Sequence, residues 1–228
     1  MLRRRTAGVL LLTLALASGC DSAPDTSGPL PDGVQLVAAA GAGFDRLTSI
    51  RFDLSLSGVI PGLDIREVKG QVSRNGLASG QADMQESTNR FELTFQINGS
   101  TLELTDQHGK RTQTPVPPEF SPALLLDPSH GLPRLLASAS GLKTEAKEDV
   151  QGAQTYRVTG EVARNVISSF VPGIQADVDV KFWVTQSEPR ELVRIWMQVP
   201  PQQPDEGAVT LELALSDGNA PATTDASG

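Results

Sequence analysis

Cys20 is the residue of this sequence whose chemistry is most clearly defined, because it is the only cysteine among the 228 residues. With no second thiol, a disulfide within the chain is excluded. A lone thiol is a liability in an oxidising compartment unless it is modified, and a cysteine thiol can carry a thioether-linked diacylglycerol. We therefore interpret Cys20 as a candidate lipidation site.

The residues before Cys20 position it for that modification. Positions 3–5 are all arginine, and the stretch from 7 to 17 is uncharged and consists mostly of Leu, Ala and Val. This stretch has the length of a signal-peptide core and is too short to span a bilayer, which needs about 20 apolar residues. The sequence Ala-Ser-Gly-Cys at 17–20 resembles the lipobox of bacterial lipoproteins, with Ala17 where Leu is usual.

Residues 1–19 are thus predicted to be a lipoprotein signal peptide, and residues 20–31 a lipidated flexible tether rich in Ser, Pro, Gly and Asp. Residues 32–217 are predicted to form one domain, and residues 218–228 a disordered tail. The alternative is an ordinary secretory signal followed by a cysteine without a role, but the position of the only cysteine favours lipidation. The predicted location is the outer, extracytoplasmic face of the cytoplasmic membrane.

The charge of the chain constrains its partners. The formal net charge is −8, and the leader contributes three positive charges, so the mature domain is more acidic still. A basic face for nucleic acid is not supported. Anionic head groups would repel the domain, so attachment must come from the lipid anchor, in which each buried methylene contributes about 0.8 kcal/mol.

No constellation of residues predicts catalysis. The two histidines, His108 and His130, lie in polar turns, without the spacing of a zinc site. The chain has no Gly-x-Ser-x-Gly elbow and no phosphate-binding glycine loop. Asp177 and Asp179 share one face of a strand and could bind a cation, but a solvated strand face is the favoured interpretation. We predict a protein that is not an enzyme and that has no metal and no cofactor.

The remaining elements must form the domain. Asp32 is a predicted helix N-cap, and apolar residues follow it at helical spacing up to Leu47, although Gly41 and Gly43 weaken the helix. Apolar and polar residues then alternate, as in half-buried strands, and Asn98-Gly99 indicates a hairpin. The predicted strands lie near 50–56, 68–72, 77–84, 91–97, 102–104, 156–158, 178–184, 192–199 and 209–215, with short helices at 123–126, 132–139 and 162–170.

This pattern predicts an α+β fold in which a strongly curved antiparallel sheet, a half-barrel, wraps over a few helices.

Trp183 falls on the polar side of its strand. It could contact a partner, as could Trp196, but ordinary packing is the favoured interpretation for both.

Several segments resemble the mycobacterial LprG/LppX-type lipoproteins in order and spacing. They are the Leu-Pro-Asp at 30–32, the Gly-Val-Ile-Pro-Gly-Leu at 58–63, the connector and helix from Leu125 to Ala137, and the Val-Thr-Gly-Glu-Val at 158–162. The family often has an aromatic residue after the hairpin and a Trp in the next loop, and this chain has neither in 100–111.

The resemblance implies a hydrophobic cavity between sheet and helices, an acylated lipid or glycolipid as ligand, and in some members an efflux-type membrane transporter as partner. An apolar wall is what acyl chains require. The alternative is an ordinary filled core in an adaptor or structural lipoprotein, and a third hypothesis is a hydrolase of envelope lipids. The candidate lining residues are Ala82, Met84, Phe91, Leu93, Phe95, Leu102, Val178, Val180 and Phe182.

Overall fold

The computed structural model describes residues 24–117, 125–201 and 207–220. Within these ranges the helices are α1 (Gly33–Gly43), α2 (Leu132–Ser138) and α3 (Arg164–Phe170), and a 3₁₀ turn follows α1. None of these helices has the length and apolar character to cross a membrane. The strands are β1 (Ser49–Ser57), β2 (Ile65–Ser73), β3 (Leu77–Glu86), β4 (Asn89–Asn98), β5 (Thr101–Asp106), β6 (Arg111–Pro115), β7 (Ser140–Val150), β8 (Ala153–Val162), β9 (Val178–Thr185), β10 (Leu192–Val199) and β11 (Val209–Ser216).

The eleven strands form one antiparallel sheet in the order β6-β5-β4-β3-β2-β1-β11-β10-β9-β8-β7. The chain makes two meanders, since β1 to β6 run outward from the centre and β7 to β11 return from the opposite edge to pair with β1. The connection from β6 to β7 contains α2 and passes from one edge of the sheet to the other. We call the end of the sheet at Ser57 and Ile65 the upper end, and the end at Ser49 and Ser73 the lower end.

The alternation of residue types gives the sheet an apolar inner face and a polar outer face. Leu54 of β1 lies opposite Val68 of β2 and Leu213 of β11. Cross-strand neighbours of this kind are the units that stabilise a sheet. From β4 to β9 this row is apolar, and it consists of Leu93, Ala82, Val68, Leu54, Leu213, Ile195 and Phe182. On β5 the row ends at Asp106.

Helix α1 forms because its N-terminus is capped and one of its faces is apolar. The Asp32 carboxylate accepts a hydrogen bond from the Gln35 backbone N–H at 2.9 Å, as predicted. Leu36, Val37 and Ala40 are buried, and α1 packs against β7 to β10 and against α2. The helix ends at Gly43, where the chain tightens into the 3₁₀ turn, since Gly41 and Gly43 are poor helix formers.

A pair of glycines allows close approach of two neighbouring strands. Gly70 of β2 lies opposite Gly80 of β3, and the ring of Phe95 lies over both, since a Cβ on either would fall within 3.2 Å of it. A Cβ on Gly80 would also lie 2.1 Å from the Lys69 carbonyl oxygen. Glycine kinks of this kind introduce curvature into a sheet. The predicted curved antiparallel sheet is confirmed.

Two strands were missed in the sequence analysis for physical reasons. Strand β6 has no apolar side chain besides Pro115, and all of its residues are exposed at the edge of the sheet. Strand β7 has charged residues at several positions, and register shifts near Ser140 and Thr144 interrupt the two-residue period. The helix predicted at 162–170 begins only at Arg164, because Val162 belongs to β8.

The ends of the domain are held by hydrogen bonds. Asp25 forms an isolated antiparallel bridge with Lys147 of β7, and the Thr144 hydroxyl donates to the Pro31 carbonyl at 2.7 Å. Residues 25–31 of the predicted tether therefore lie along β7 and cover part of an edge strand that would otherwise be open to pairing. At the other terminus, the carbonyl of Ala220 accepts from the Gln71 amide at 2.9 Å.

A pair of glycine-to-alanine substitutions tests the role of the kink. Gly80→Ala should lower the free energy of unfolding by about 1–3 kcal/mol, because the new methyl group collides with backbone. Gly41→Ala in α1 should raise it by about 0.5–1 kcal/mol, because its methyl group would meet only Leu136 atoms at 3.9 Å. Chemical denaturation followed by circular dichroism measures both. Equal effects of the two substitutions would contradict the packing described.

Candidate functional site on the inner face of the sheet

All nine predicted lining residues lie on the same inner face, but in two separate groups. Six are on neighbouring strands β3 to β5, and the other three are on β9. In the sheet order, β2, β1, β11 and β10 separate the groups. The strand parity read from the sequence is therefore consistent with a common face, and the strand order decides how far apart the groups lie.

The β9 group belongs to a filled core. Val178, Val180 and Phe182 are buried, and Phe182 has no exposed surface. They share one apolar cluster with residues of all three helices, including Leu36, Leu135 and Ile167. In this half of the sheet, side chains and helices occupy the inner face, and this part of the chain corresponds to the filled-core alternative.

The group on β3 to β5 forms an apolar surface that is only partly covered. Met84, Leu93, Phe95 and Leu102 are half-buried, and Phe91 keeps 36% of its surface exposed. Only Ala82 of this group is buried, at 7% exposure. At the lower end of these strands, Val72, Ala78 and Ile97 are buried in the core cluster. We call the remaining inner face of β2 to β5 the open wall. It presents side chains such as Leu93 and Met84 that lie outside the buried core, which is the surface an apolar ligand requires.

The described ends of the connection between β6 and β7 pack against the core. Val116 and Leu125, on either side of residues 118–124, both pack against the core. The sequence also predicts a Pro-rich loop at 115–122. Residues 118–124, which include most of that loop and half of the helix predicted at 123–126, lie outside the described residues. Cys20 and the predicted signal peptide also lie outside them.

Asp127 organises the end of this connection and the start of α2. Its carboxylate accepts hydrogen bonds from the backbone N–H groups of Ser129 at 2.7 Å and His130 at 2.8 Å. These two bonds hold the pKa of the Asp127 carboxyl below its ordinary value. The Gly131 N–H donates to the Asp127 carbonyl at 2.7 Å, so the segment that resembles the family connector is a rigid turn leading into α2.

Neither histidine has the surroundings of a catalytic base. His108 is exposed in the β5–β6 turn beside Gln107, and His130 Nδ1 lies 3.2 Å from the Asp127 carboxylate. No hydrogen bond in the described ranges joins either histidine to a hydroxyl group. Within those same ranges, no three His, Cys, Asp or Glu side chains are grouped to hold a metal ion.

Asp177 has a local structural role. Its carboxylate accepts from the Arg164 backbone N–H at 2.7 Å, at the first residue of α3. This contact satisfies a helix N-terminal donor that has no partner within the helix. Asp179 lies exposed on β9, as expected for a solvated strand face.

The outer face carries the two tryptophans. Trp183 is 7% exposed because charged side chains surround it: its Nε1 donates to Glu148 at 2.6 Å, and the Arg194 guanidinium lies 5.5 Å from its ring. Lys181 lies 4.9 Å from the ring of Trp196. These cation–π contacts explain how a tryptophan can occupy the polar side of a strand, and they agree with the favoured interpretation of ordinary packing.

Two concavities occur away from the open wall. One, of about 340 Å³, lies on the outer face of β2 to β5 among polar and paired groups such as Lys69 and Asp83, and its lining includes two of the nine predicted residues, Ala82 and Leu93. The other, of about 370 Å³, lies at the lower end between the C-terminus of α1 and strands β1, β10 and β11. The second contains none of the nine predicted residues.

The fold thus defines a half-barrel protein whose curved sheet holds a few short helices on an apolar inner face. Comparison with known proteins gives the family. A family model described as LppX_LprAFG lipoprotein matches residues 32–223, and the chain belongs to this family.

Individual relatives agree with this assignment. The chain is 26% identical over 219 residues to the lipoarabinomannan carrier protein LprG of Mycobacteroides abscessus, covering 95% of this chain and 93% of the relative. The crystal structure of LprF from Mycobacterium bovis has a TM-score of 0.72 at 20% identity, covering 86% of this chain and 97% of that chain. LppX from Mycobacterium tuberculosis has a TM-score of 0.64 at 18% identity, covering 84% and 97%.

Truncation of two phenylalanines distinguishes the filled half from the open wall. Phe182→Ala should lower the free energy of unfolding by about 3–5 kcal/mol, because it leaves a cavity in a closed core. Phe91→Ala should cost about 1 kcal/mol or less, because its ring is already partly in water. Guanidinium denaturation of the two variants measures both values. Similar losses would mean that the inner face is uniformly packed.

Proposed function

We propose that this protein is a membrane-anchored, non-enzymatic carrier that binds acylated lipids or glycolipids on the open wall and carries them across the cell envelope. The observation that supports this most directly is the half-exposed apolar surface of β3 to β5 on the inner face. The relative from M. abscessus is named a lipoarabinomannan carrier, which is in keeping with a ligand that contains both lipid and sugar.

The physical argument for a lipid is the match between surface and ligand. A monomeric protein seldom leaves a contiguous apolar surface in water unless something binds there. On the open wall, Leu93 and Phe95 face inward on β4, and Phe95 lies opposite Leu104 of β5. The charged residue next to them, Asp106 opposite Leu93, is bound by the backbone N–H groups of His108 and Lys110 in the β5–β6 turn. Acyl chains fit such a surface because they gain free energy from apolar burial without needing polar partners.

The anchor and the location follow from the N-terminus. Lipidation of Cys20 would attach the protein to the outer, extracytoplasmic face of the cytoplasmic membrane, with the folded domain outside. The family description as a lipoprotein supports this part of the proposal. An efflux-type membrane transporter is the partner class that the family resemblance implies.

The adaptor hypothesis requires the same anchor but a filled inner face. The half of the sheet under the helices agrees with it, since Phe182 and its neighbours are fully buried. The open wall favours the carrier, because an adaptor would gain no stability from leaving Phe91 and Leu93 partly in water. The hydrolase hypothesis lacks a nucleophile–base pair among the described hydrogen bonds.

Direct analysis of bound lipid tests the carrier. The chain from Asp21 onward contains every strand and helix described, and it can be expressed in an actinobacterial host and purified without detergent. Mass spectrometry of an organic extract should find stoichiometric acyl lipid. A folded protein that is empty and takes up no added lipid would support the adaptor instead.

A pair of tryptophan substitutions locates the lipid. Leu93→Trp should lower the bound lipid about threefold or more, because the larger ring occupies the open wall. The matched control is Thr94→Trp, on the next residue of β4 and the opposite face of the sheet, and its lipid content should be unchanged. If both variants have the same unfolding midpoint and hold the same amount of lipid, the lipid does not bind on the open wall.

The anchor has its own test. Cys20→Ser in the full chain should abolish incorporation of labelled palmitate, because serine cannot form the thioether. Metabolic labelling followed by electrophoresis measures it, with the wild-type chain as the control. Labelling of the Cys20→Ser chain at the wild-type level would disprove lipidation at this residue.

A further inference from the structure

Two segments that end at the upper end of the sheet are without charge, as are residues 33–44 and 195–204 elsewhere in the chain. No Asp, Glu, Lys or Arg occurs from Leu54 to Leu63 or from Asn165 to Ala176, although such residues make up 20% of the sequence. The first segment covers the end of β1 and the loop to β2. The second covers most of α3 and the turn to β9.

The fold brings these two segments together at the upper end of the sheet. A Cβ placed on Gly173 would lie 2.3 Å from the Pro61 carbonyl oxygen and 2.5 Å from Cγ2 of Ile60. Only a glycine allows the two turns to approach so closely. We call residues 58–63 and 170–173 together the upper tip.

The upper tip is rigid and exposes apolar side chains. Ile60 is 2% exposed and fixes the loop to the core, and the Leu63 N–H donates to the Ile60 carbonyl at 3.0 Å across a turn with Pro61 at its second position and Gly62 at its third. Val59 projects from this turn with 81% of its surface exposed. Pro61 and Pro172 are also exposed. A surface that is already ordered loses little conformational entropy when it binds.

The upper tip is continuous with the open wall. Ile65 at the start of β2 pairs with Met84 of β3, and Met84 pairs with Phe91 of β4. These three side chains form the uppermost row of the open wall, directly beyond Leu63. Apolar surface therefore runs from Leu93 up to the tip, where a chain entering or leaving the wall would pass.

We propose that the upper tip docks on a lipid surface. A membrane interface accepts uncharged loops because no charged group has to lose its hydration, and valine and proline can enter it. The full chain carries a net charge of −8, the mature protein without its three leader arginines is more acidic still, and such a protein is held away from anionic surfaces. This inference rests on the proposed function, since it supplies the place at which a lipid passes between a membrane and the open wall.

The described N-terminal segment limits how far the anchor can lie from β7. Residues 25–31 run antiparallel to β7, so Asp25 is nearer the lower end than Pro31 is. Cys20 is five residues before Asp25, and five residues reach about 17 Å at most. From Lys147 to Ser140, at the upper end, β7 extends about 23 Å. The anchor therefore cannot reach the upper end while the Asp25–Lys147 bridge is intact. We infer that the upper tip binds a lipid surface other than the one that holds the anchor.

A single label tests the docking. The chain from Asp21 onward has no cysteine, so Val59→Cys can be labelled with an environment-sensitive fluorophore and mixed with phosphatidylcholine vesicles. We expect a blue shift and an increase in emission. The matched control is Leu77→Cys, since Leu77 is also exposed, at 39%, but lies at the lower end. A label at Val59 that stays in water, or shifts no more than the label at Leu77, would overturn the proposal.

Charge substitutions give a second measurement on the same vesicles. Val59→Asp should lower the fraction of protein that sediments with vesicles by about tenfold, whereas Leu77→Asp should leave it unchanged. Val59→Trp should raise it, since tryptophan favours membrane interfaces. If the wild-type chain holds acyl lipid but none of these variants alters sedimentation, the docking proposal is wrong and the proposed carrier function is retained. If the wild-type chain and the variants sediment as expected but the chain never holds lipid, the proposed carrier function is wrong and the docking proposal is retained.

The full lipidated chain tests the placement of the anchor. The Cys20 thiol is then occupied, so Val59→Cys is again the only site for the label. With the protein anchored in one set of vesicles, the label should remain in water until a second set of vesicles is added. A label that enters the anchoring vesicle itself would overturn the inference that the upper tip and the anchor bind different lipid surfaces.

Discussion

The structure depends on a mismatch between the apolar inner face of the sheet and the helices available to cover it. Eleven strands spaced about 4.8 Å apart give a sheet about 48 Å wide along its curve. The three described helices have 11, 7 and 7 residues, which correspond to about 16, 10 and 10 Å of length. They can bury the inner face of roughly half the strands. The apolar inner face of the other strands is left without a helix to cover it.

The two halves of the sheet differ in how their apolar inner face is covered. Beneath α1, α2 and α3, the strands β8 to β11 have fully buried side chains such as Phe182 and Ile195, and the core is closed. On β2 to β5, glycines at 70 and 80 allow close strand approach, and Phe95 lies over them. The apolar residues beyond Phe95 stay partly in water. A lipid would complete this half as the helices complete the other, so binding and folding use the same hydrophobic effect.

The edges and ends of the sheet show how such an open structure remains a single domain. Residues 25–31 cover β7, and Asn219 and Ala220 bind back to the lower end of β1 and β2. On the outer face, Trp183, Arg194 and Glu148 form a close-packed layer that stabilises the strands from outside.

Much of this protein could be predicted from local patterns. The N-cap Asp32, the alternation in β1 and β9, and the hairpin at Asn98 each depend on neighbouring residues alone, and the structure confirms all of them. The same patterns failed for β6, which has no apolar residue besides Pro115, and for β7, where bulges break the two-residue period. A strand recognised by burial cannot be identified when it lies exposed at an edge.

The sequence by itself determined which residues face inward, because side-chain direction in a strand follows from parity alone. It also determined the family, the single thiol at Cys20 and the absence of charge at 54–63. Only the tertiary structure decided that Phe182 lies in a closed core and Leu93 on an open wall, because the order of strands and the reach of the helices are properties of the whole chain. It likewise decided that Gly173 meets Pro61, since contacts between segments more than a hundred positions apart depend on topology rather than on local pattern.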